Sequence, residues 1–442
     1  DFFSILISMS TRNLPRLLDL SIQCVLQNEA SVIAALEWLP VDLFSPLFKA
    51  AFDGGHTEIV KSMVFSWPFT HLHLGTLVEG CESPYGVLKA VLDGLEMLLA
   101  HRVRPRRCKL RQLDLRRHTD TEIWNTWLVS QFSLSQEPEA TPPSTQSPEE
   151  ERSGSEEQLL PPVKVLIDLR FREEILNALL TILGEMVKEG KTLPPLYCRK
   201  VEFVGDVPQV PVLEEILQKV RLDSVWDVEV DGRWDLHDLN WFAPYLSKMV
   251  NLHTISLSES PWGAQEGVEK LLVQFTSHFL HLHQVQYLIL DSVLLHGRLH
   301  QLLKPLKYLT INDCMLVDSD FTCLSCCPRT SHLQSLDLSG VFGASIHYAF
   351  LPGLLMKLSA TLTHLALDSC GIEDSELMAL QPALGHCTQL KSLVLCGNPV
   401  SRDVLLALMH HTVPQCQFAF LELPVPPHCY VGPQDILHEG SL

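Results

Sequence analysis

One short pattern of apolar residues recurs along the C-terminal half of this 442-residue chain. In the segment from Leu362 to Ile372 the order is LxxLxLxxCxI, with Cys370 at the ninth position. Its central part alternates as a short strand does, because successive side chains of a strand point to opposite faces. The Cys, or an Asn at the same position, is expected to close a buried turn. This pattern is the core line of a leucine-rich repeat, whose units must stack because one unit cannot bury its own apolar face.

Further copies of the pattern make the repeat assignment strong. Regular copies follow one another 27 to 29 residues apart, within the range of this repeat class, and begin at Leu306, Leu333, Leu362 and Leu390. Weaker copies begin at Cys198, Val225, Leu252 and Val285, and another repeat strand is predicted from Leu110. The predicted fold class is therefore α/β, a leucine-rich-repeat solenoid (horseshoe) with an N-terminal helical cap.

Helical spacing and composition divide the chain into five segments. Apolar residues from Leu14 onward recur at helical spacing, Ser31 is predicted to cap a second helix, and Pro40 opens a third from Val41 to Phe48. Met9 is the expected natural start. The predicted segments are 9–57 (N-terminal helices), 58–133 (further helices and a first repeat), 134–161 (a Pro-, Ser- and Glu-rich linker predicted to be disordered), 162–425 (solenoid) and 426–442 (C-terminal tail).

The composition argues against several classes of partner. The formal net charge is −19, so direct binding to the phosphate backbone of nucleic acids is not expected. No apolar run reaches the length of a membrane span, and no membrane partner is expected. The 13 cysteines form no regular framework, which favours reduced thiols. We interpret the basic run from Arg102 to Lys109 as a solvated surface rim, a localisation signal or a binding site for an anion, and the sequence leaves these alternatives open.

The sequence carries no catalytic motif and no clear cofactor site, so we predict a non-enzyme without a cofactor. The histidine pairs His71/His73 and His281/His283 could hold a metal on a strand, but chance pairs are expected among 20 histidines. The cluster Cys323-Leu-Ser-Cys326-Cys327 lacks a second ligand pair and is interpreted as loop or core thiols. Three LxxLL segments, which begin at Leu95, Leu176 and Leu299, are interpreted mainly as core.

The residues between the core leucines of each predicted strand should lie on the opposite, concave face. These residues are mostly hydroxyl-bearing, amide or acidic, with two tyrosines, and the face is acidic at its early end. Such a face suits a protein or peptide with a basic patch. The alternative interpretation is that the small polar residues serve only to keep the curved sheet soluble. The candidate substrate contacts are Asp227, Glu229, Asp231, Tyr287, Tyr308, Asp337, His364 and Asp368.

Several distinctive stretches follow one another in a fixed order along the chain. They include Pro15-Arg-Leu-Leu-Asp-Leu, Leu39-Pro-Val-Asp-Leu-Phe-Ser-Pro-Leu-Phe48, Trp67-Pro-Phe, Val103-Arg-Pro-Arg-Arg107, Phe242-Ala-Pro-Tyr-Leu246, Gln274-Phe-Thr-Ser-His-Phe-Leu280 and Leu336-Asp-Leu-Ser-Gly340. In these stretches the chain resembles the PRAME family. The resemblance implies a substrate-recognition subunit of a cullin–RING ubiquitin ligase, located in cytoplasm and nucleus. Its implied partners are elongin B/C, a cullin, a RING subunit and a protein substrate.

The resemblance also assigns residues to two docking segments. An elongin box of the form LxxxCxxxΦ, where Φ is apolar, maps to Leu17, Ser21 and Val25, which form one stripe on a helix. A cullin box of the form ΦPxxΦ maps to Leu39, Pro40 and Leu43, with Phe44 extending its apolar side. The alternative function is a transcriptional corepressor scaffold that binds a nuclear (retinoic acid) receptor through LxxLL helices.

Overall fold

A computed structural model describes most of the chain. The described residues are 17–101, 104–116, 163–172, 178–192, 194–205, 210–259, 268–295, 297–341, 349–431 and 436–437. They divide into two compact units. The first unit is Asp1–Asp168, Leu176–Tyr197 and Glu214–Val220, and the second is Leu169–Ile175, Cys198–Leu213 and Arg221–Leu442. The predicted disordered linker, 134–161, lies outside the described residues.

The first unit is mainly helical. Its elements are α1 (Leu17–Leu26), α2 (Glu29–Ala35), α3 (Val41–Asp53), α4 (Thr57–Phe65), β1 (His71–His73), α5 (Gly75–Glu79), α6 (Pro84–Ala100), β2 (Gln112–Asp114) and α7 (Ala178–Lys188). Helices α4 and α6 pack closely because Gly94 has no side chain: a Cβ there would lie 2.5 Å from the carbonyl oxygen of Lys61. The boundaries between the units fall inside β3 (Lys164–Arg172), β4 (Leu196–Val204), α8 (Val210–Lys219) and β5 (Val220–Arg221).

Two local predictions for the first unit were wrong. Asn28, not Ser31, caps α2, because the Asn28 side chain accepts a hydrogen bond of 3.2 Å from the backbone N–H of Ser31. Residues 71–73 were expected within a helical region but form β1, whose Leu72 pairs in parallel with Leu113 of β2. The predicted repeat strand after Leu110 is confirmed as β2.

The second unit is a succession of strand–helix repeats. Its strands are β6 (Asp227–Asp231), β7 (Thr254–Ser258), β8 (Tyr287–Asp291), β9 (Tyr308–Asn312), β10 (Ser335–Asp337), β11 (His364–Ala366), β12 (Ser392–Val394) and β13 (Phe420–Glu422). Its helices are α9 (Leu236–Leu246), α10 (Val268–Leu280), α11 (Asp318–Cys326), α12 (Phe350–Leu358), α13 (Asp374–His386) and α14 (Arg402–Thr412). A separate antiparallel pair, β14 (Tyr430–Val431) with β15 (Ile436–Leu437), follows.

The strands from β6 to β13 pair in parallel in the order of the chain. The register places equivalent leucines side by side, as in Leu309↔Leu336 and Leu336↔Leu365. Each of the eight predicted repeats in this unit contributes a strand, and the repeat leucines are buried. This arrangement is a leucine-rich-repeat solenoid, and the predicted fold class is confirmed. Among the described residues, no helix has the length and hydropathy needed to span a membrane.

The predicted buried turns are closed by Cys and Asn side chains. Asn398 Nδ2 donates to the carbonyl oxygens of Leu367 and Leu395, each at 2.8 Å. Its Oδ1 accepts from the backbone N–H groups of Cys370 and Ile372 in the preceding repeat. Cys370 Sγ in turn donates to the carbonyl oxygen of Leu338 at 3.1 Å. These bonds satisfy buried backbone groups that no strand or helix pairs, and they join one repeat to the next.

Candidate functional site

Helix α1 presents the predicted elongin-box stripe on its free side. It packs on α2 and α3 through Ile22 and Leu26, which are buried. A different side of the helix carries Leu17, Ser21 and Val25, and the two apolar side chains are 80% and 51% exposed. Because residues four apart share one face of a helix, the three form a continuous outward stripe. An exposed leucine and valine on one helix face are available to a partner.

The exposed apolar surface continues beyond this stripe. Helices α1 to α3 and the turn between α2 and α3 expose further large apolar side chains, of which Trp38 is the most accessible at 83%. We call this set the N-terminal apolar surface: Leu17, Leu18, Leu20, Val25, Ile33, Trp38, Val41 and Leu43. Clustered exposed apolar residues mark interaction surfaces, and tryptophan contributes strongly to binding in protein interfaces. Sequence reasoning missed Trp38, although it directly precedes the predicted cullin box.

The predicted cullin-box residues do not all lie on the surface. Pro40 and Leu43 are exposed and Leu39 is half-buried. Phe44 is fully buried, and its ring meets that of Trp67 edge-on at 5.6 Å. Phe44 is therefore a core residue, and the prediction that it lies on the binding surface does not agree with this burial. A partner can reach Pro40 and Leu43 without any change in the helices.

The basic run supplies an anchor for the same turn. Arg107 Nη1 donates to the carbonyl oxygen of Leu36 at 2.6 Å, and Nη2 donates to the carbonyl oxygen of Leu39. Arg104 Nη1 donates to the carbonyl oxygen of Leu110 at 3.0 Å. These two guanidinium groups thus bind backbone carbonyls of the first unit. The sequence indicates a solvated rim, a localisation signal or an anion site for this run, whereas in the structure two of its arginines bind backbone carbonyl groups.

In the second unit, the predicted outward residues lie on one face of successive strands, which we call the strand face. The side chains alternate with buried leucines, isoleucines and valines, so that those between the core positions are half-exposed or exposed. Tyr287 and Tyr308 are in register on neighbouring strands and stack with ring centroids 4.0 Å apart. The structure therefore brings Asp227, Glu229, Asp231, Tyr287, Tyr308, Asp337, His364 and Asp368 together on one face of the sheet.

The early end of the strand face is less acidic in effect than the sequence indicates. Lys200 Nζ lies 2.5 Å from Glu229 and 3.7 Å from Glu202, and Arg170 Nε lies 2.8 Å from Glu202. Burial alone would lower the pKa of Lys200, but its hydrogen bond to Glu229 and the negative charges of Glu229, Glu202 and Asp227 together raise it. Glu202 and Glu229 are therefore engaged in ion pairs within the chain.

The histidine pair on β1 belongs to an ion-pair network. His73 Nδ1 lies 3.5 Å from Asp114 Oδ2, and Arg116 donates to the same oxygen at 2.7 Å. Burial alone would raise the pKa of Asp114, but hydrogen bonds from Arg116 and the nearby His73 ring hold it well below its usual range. Burial and the neighbouring His73 lower the pKa of His71. This network accounts for the pair as part of the fold of the first unit.

The other predicted chemical groups also have structural roles. His281 and His283 lie in the turn after α10 rather than on a strand. Burial raises the pKa of the Cys323 thiol to about 11, so this thiol stays protonated at neutral pH. The described residues contain no group of three or more His, Cys, Asp or Glu side chains placed to hold a metal ion. Six LxxLL leucines of the described residues are at most 1% exposed: Leu95, Leu98, Leu180, Leu299, Leu302 and Leu303.

Comparison with known proteins identifies the family. The model of the PRAME C-terminal domain matches residues 163–442, more than half of the chain, and that of the PRAME N-terminal domain matches residues 14–124. The chain belongs to the PRAME family. It is 38% identical to human PRAME family member 12 over 96% of this chain and 86% of that protein. It is also 38% identical to human PRAME family member 20 over 96% of this chain and 88% of that protein.

A solved leucine-rich-repeat protein of Leptospira interrogans is 12% identical, with a TM-score of 0.32, over 74% of this chain and 83% of that protein. The fold assignment rests instead on the strand order and register within this chain. As a PRAME family member with stacked repeats and two exposed surfaces, the chain has a protein-interaction role.

Proposed function

We propose that this PRAME family member is the substrate-recognition subunit of a cullin–RING ubiquitin ligase. The N-terminal apolar surface docks elongin C, as part of elongin B/C, and the cullin, while the strand face of the second unit holds the protein substrate. The chain catalyses nothing itself. It raises the effective concentration of a substrate lysine near the charged ubiquitin-conjugating enzyme that the RING subunit recruits. We propose that it acts in cytoplasm and nucleus.

The outward stripe of α1 is the observation that carries the proposal. A helix that only capped a solenoid would need its buried side, Ile22 and Leu26, and could be polar elsewhere. Helix α1 keeps Leu17 and Val25 largely exposed on its other side. Such an i, i+4, i+8 apolar stripe fits a groove on a partner. The nearby exposed Pro40 and Leu43 offer a second contact within the same unit.

The test is a pull-down of the full chain with elongin B/C. Wild type is expected to bind, and the variant Leu17→Asp plus Val25→Asp is expected to lose binding because two charges replace the apolar stripe. Val250→Asp plus Val273→Asp is the matched control, since these valines of the second unit are 56% and 54% exposed. This control should bind as wild type does. Thermal unfolding of all three proteins separates lost docking from lost folding.

Wild type that fails to capture elongin B/C, or a stripe variant that binds as well as wild type, contradicts the proposal. In a second step, the elongin-loaded chain is offered to the cullin. Trp38→Ala changes a side chain that is almost entirely in solvent, so folding should be unaffected. We expect this variant to bind the cullin more weakly, because a large aromatic ring leaves the centre of the contact.

A further inference from the structure

The strand face of the second unit carries two kinds of carboxylate. Glu202 and Glu229 are paired with Lys200 or Arg170. In contrast, three aspartates at the last outward position of a repeat form what we call the carboxylate row: Asp231, Asp291 and Asp368. Within the described part of the chain, none of these three makes an ion pair. Negative charge without an ion pair is therefore available to a partner along this edge of the face.

The register places the carboxylate row in one line across the sheet. Asp231 pairs with Ser258, Ser258 with Asp291, and Asp291 with Asn312. The line continues to Asp368, whose carbonyl oxygen accepts from the backbone N–H of Gly340 at 2.8 Å. Strands are about 4.8 Å apart, so Asp231 and Asp291 are about 10 Å apart and Asp368 is about 14 Å further along. Residues i and i+4 of an extended chain are about 13 Å apart. Arginine or lysine side chains at that spacing can therefore reach neighbouring carboxylates of the row.

Two of the three carboxylates of the row are held in place without being neutralised. Ser292 Oγ donates to Asp291 Oδ1 at 2.9 Å, and Ser369 Oγ donates to Asp368 Oδ1 at 3.2 Å. Each hydroxyl fixes one oxygen of its carboxylate and leaves its charge unpaired. Arginine or lysine can therefore form charge-assisted hydrogen bonds with these groups.

An aromatic pair lies on the same face. Tyr287 and Tyr308 stack on each other, so each ring has one face covered by its partner. The next residues in register are small, Thr254 beside Tyr287 and Ser335 beside Tyr308. A cation over the exposed face of either ring gains a cation–π contact. Trp226 does not offer this, because His253 stacks on its ring at 4.4 Å and the Arg199 guanidinium lies over it at 5.7 Å.

We propose that the strand face binds an extended basic segment of a protein, with arginine or lysine side chains on the carboxylate row and against the Tyr287–Tyr308 pair. Charge complementarity indicates a basic occupant. Carboxylates without an ion pair line the edge of the face, and no cationic side chain of the described residues forms an ion pair with them. The inference rests on the proposed function in one respect: the basic segment belongs to the protein that the ligase modifies. Binding to the face does not require elongin or a cullin.

Isothermal titration of the full chain tests this proposal with a synthetic peptide of alternating arginine and serine. The reference peptide has glutamine in place of each arginine. We expect the arginine peptide to bind, more weakly as salt is raised, and the glutamine peptide to show no binding. The variant Asp231→Asn, Asp291→Asn, Asp368→Asn keeps the side-chain shapes and should bind the arginine peptide about tenfold more weakly.

The control separates the row from the general acidity of the chain. Asp227→Asn plus Glu229→Gln removes two carboxylates of the same face, one of which is already paired with Lys200, so it should change affinity by less than about threefold. Tyr287→Leu plus Tyr308→Leu should weaken binding while leaving its salt dependence unchanged. The proposal is overturned if the carboxylate-row variant and the control variant lose equal affinity for the arginine peptide. It is also overturned if wild type does not bind this peptide. Because no ligase subunit is present, this outcome is independent of the elongin pull-down.

Discussion

The guanidinium of Arg107 donates a 2.6 Å hydrogen bond to the carbonyl oxygen of Leu36, 71 residues earlier in the chain. Leu36 follows α2, and the same guanidinium also binds the carbonyl oxygen of Leu39, directly before Pro40. One side chain thereby fixes the turn that carries Trp38 and Pro40 and leads into α3, whose first turn carries Leu43. Arg107 is a positioning residue for the proposed cullin contact, because it holds the backbone and need not touch the partner.

Replacing Arg107 with glutamine should affect one docking step and spare the other. Loss of the charged hydrogen bonds is expected to cost about 1–3 kcal/mol in the free energy of unfolding. Cullin binding by the elongin-loaded chain should weaken, while elongin B/C binding through Leu17 and Val25 persists. The exposed neighbour Arg106→Gln is the matched control and should behave as wild type. Unchanged cullin affinity in the Arg107 variant would show that the anchor serves folding alone.

Leu43 and Phe44 are adjacent but should respond differently to alanine. Phe44→Ala removes a fully buried ring that packs on Trp67 and should cost about 3–5 kcal/mol of stability in urea unfolding. Leu43→Ala removes an exposed side chain and should cost less than about 1 kcal/mol. Leu43→Ala alone should lower the affinity for the cullin while leaving stability nearly unchanged. If Leu43→Ala proves as destabilising as Phe44→Ala, Leu43 is a core residue too and the assignment of Leu43 to the surface is wrong.

Asn398 should be among the most sensitive positions of the second unit. Asn398→Ala leaves the buried N–H groups of Cys370 and Ile372 without an acceptor and frees the carbonyl groups that Nδ2 binds. At about 1–3 kcal/mol for each unsatisfied buried group, we expect a loss of at least about 3 kcal/mol. Asn251→Ala, an exposed residue with one bond to the carbonyl oxygen of Asp223, should cost less than about 1 kcal/mol. Chemical denaturation compares both variants with wild type, and similar losses would contradict this expectation.

Lys304 should make stability depend on pH in the alkaline range. Burial lowers the Lys304 pKa to about 8, while its Nζ donates to the carbonyl oxygen of Leu282 at 2.6 Å and lies over the Phe279 ring. An unfolded lysine has a pKa of about 10.4, so between pH 8 and that value the unfolded state binds more protons. Stability should therefore rise with pH across this window, by up to about 1 kcal/mol per unit.

The cost of burying the Lys304 charge is fully present below pH 8 and disappears as the amine becomes neutral in both states. Lys304→Met removes this titration and keeps a chain of similar length. Denaturation of both proteins from pH 7 to 10 should show wild type gaining stability relative to the variant. Parallel curves would mean that Lys304 has an ordinary affinity for protons in the folded protein.

The candidate surfaces show where reasoning from the sequence succeeds and where it stops. The four-residue spacing of Leu17, Ser21 and Val25 is enough to place them on one stripe of a helix. It does not say which side of that helix is free, because Ile22 and Leu26 also share a side and compete for burial. Packing of α1 on α2 and α3 makes that choice. In the same way, Lys200 pairs with Glu229 on a neighbouring strand, and only the register places the two charges together.

Repeat spacing by itself determined strands β6 to β12, their buried leucines, the Cys and Asn positions of the turns and the outward positions between the leucines. These features depend on residues close in the chain, whose periodicity sets which side chains share a face. Tertiary structure alone decided that Phe44 is core, that Arg107 holds the turn after Leu36 and that Asp231, Asp291 and Asp368 lack an ion pair. Burial and ion pairing join residues distant in sequence, and local spacing carries no information about such partners.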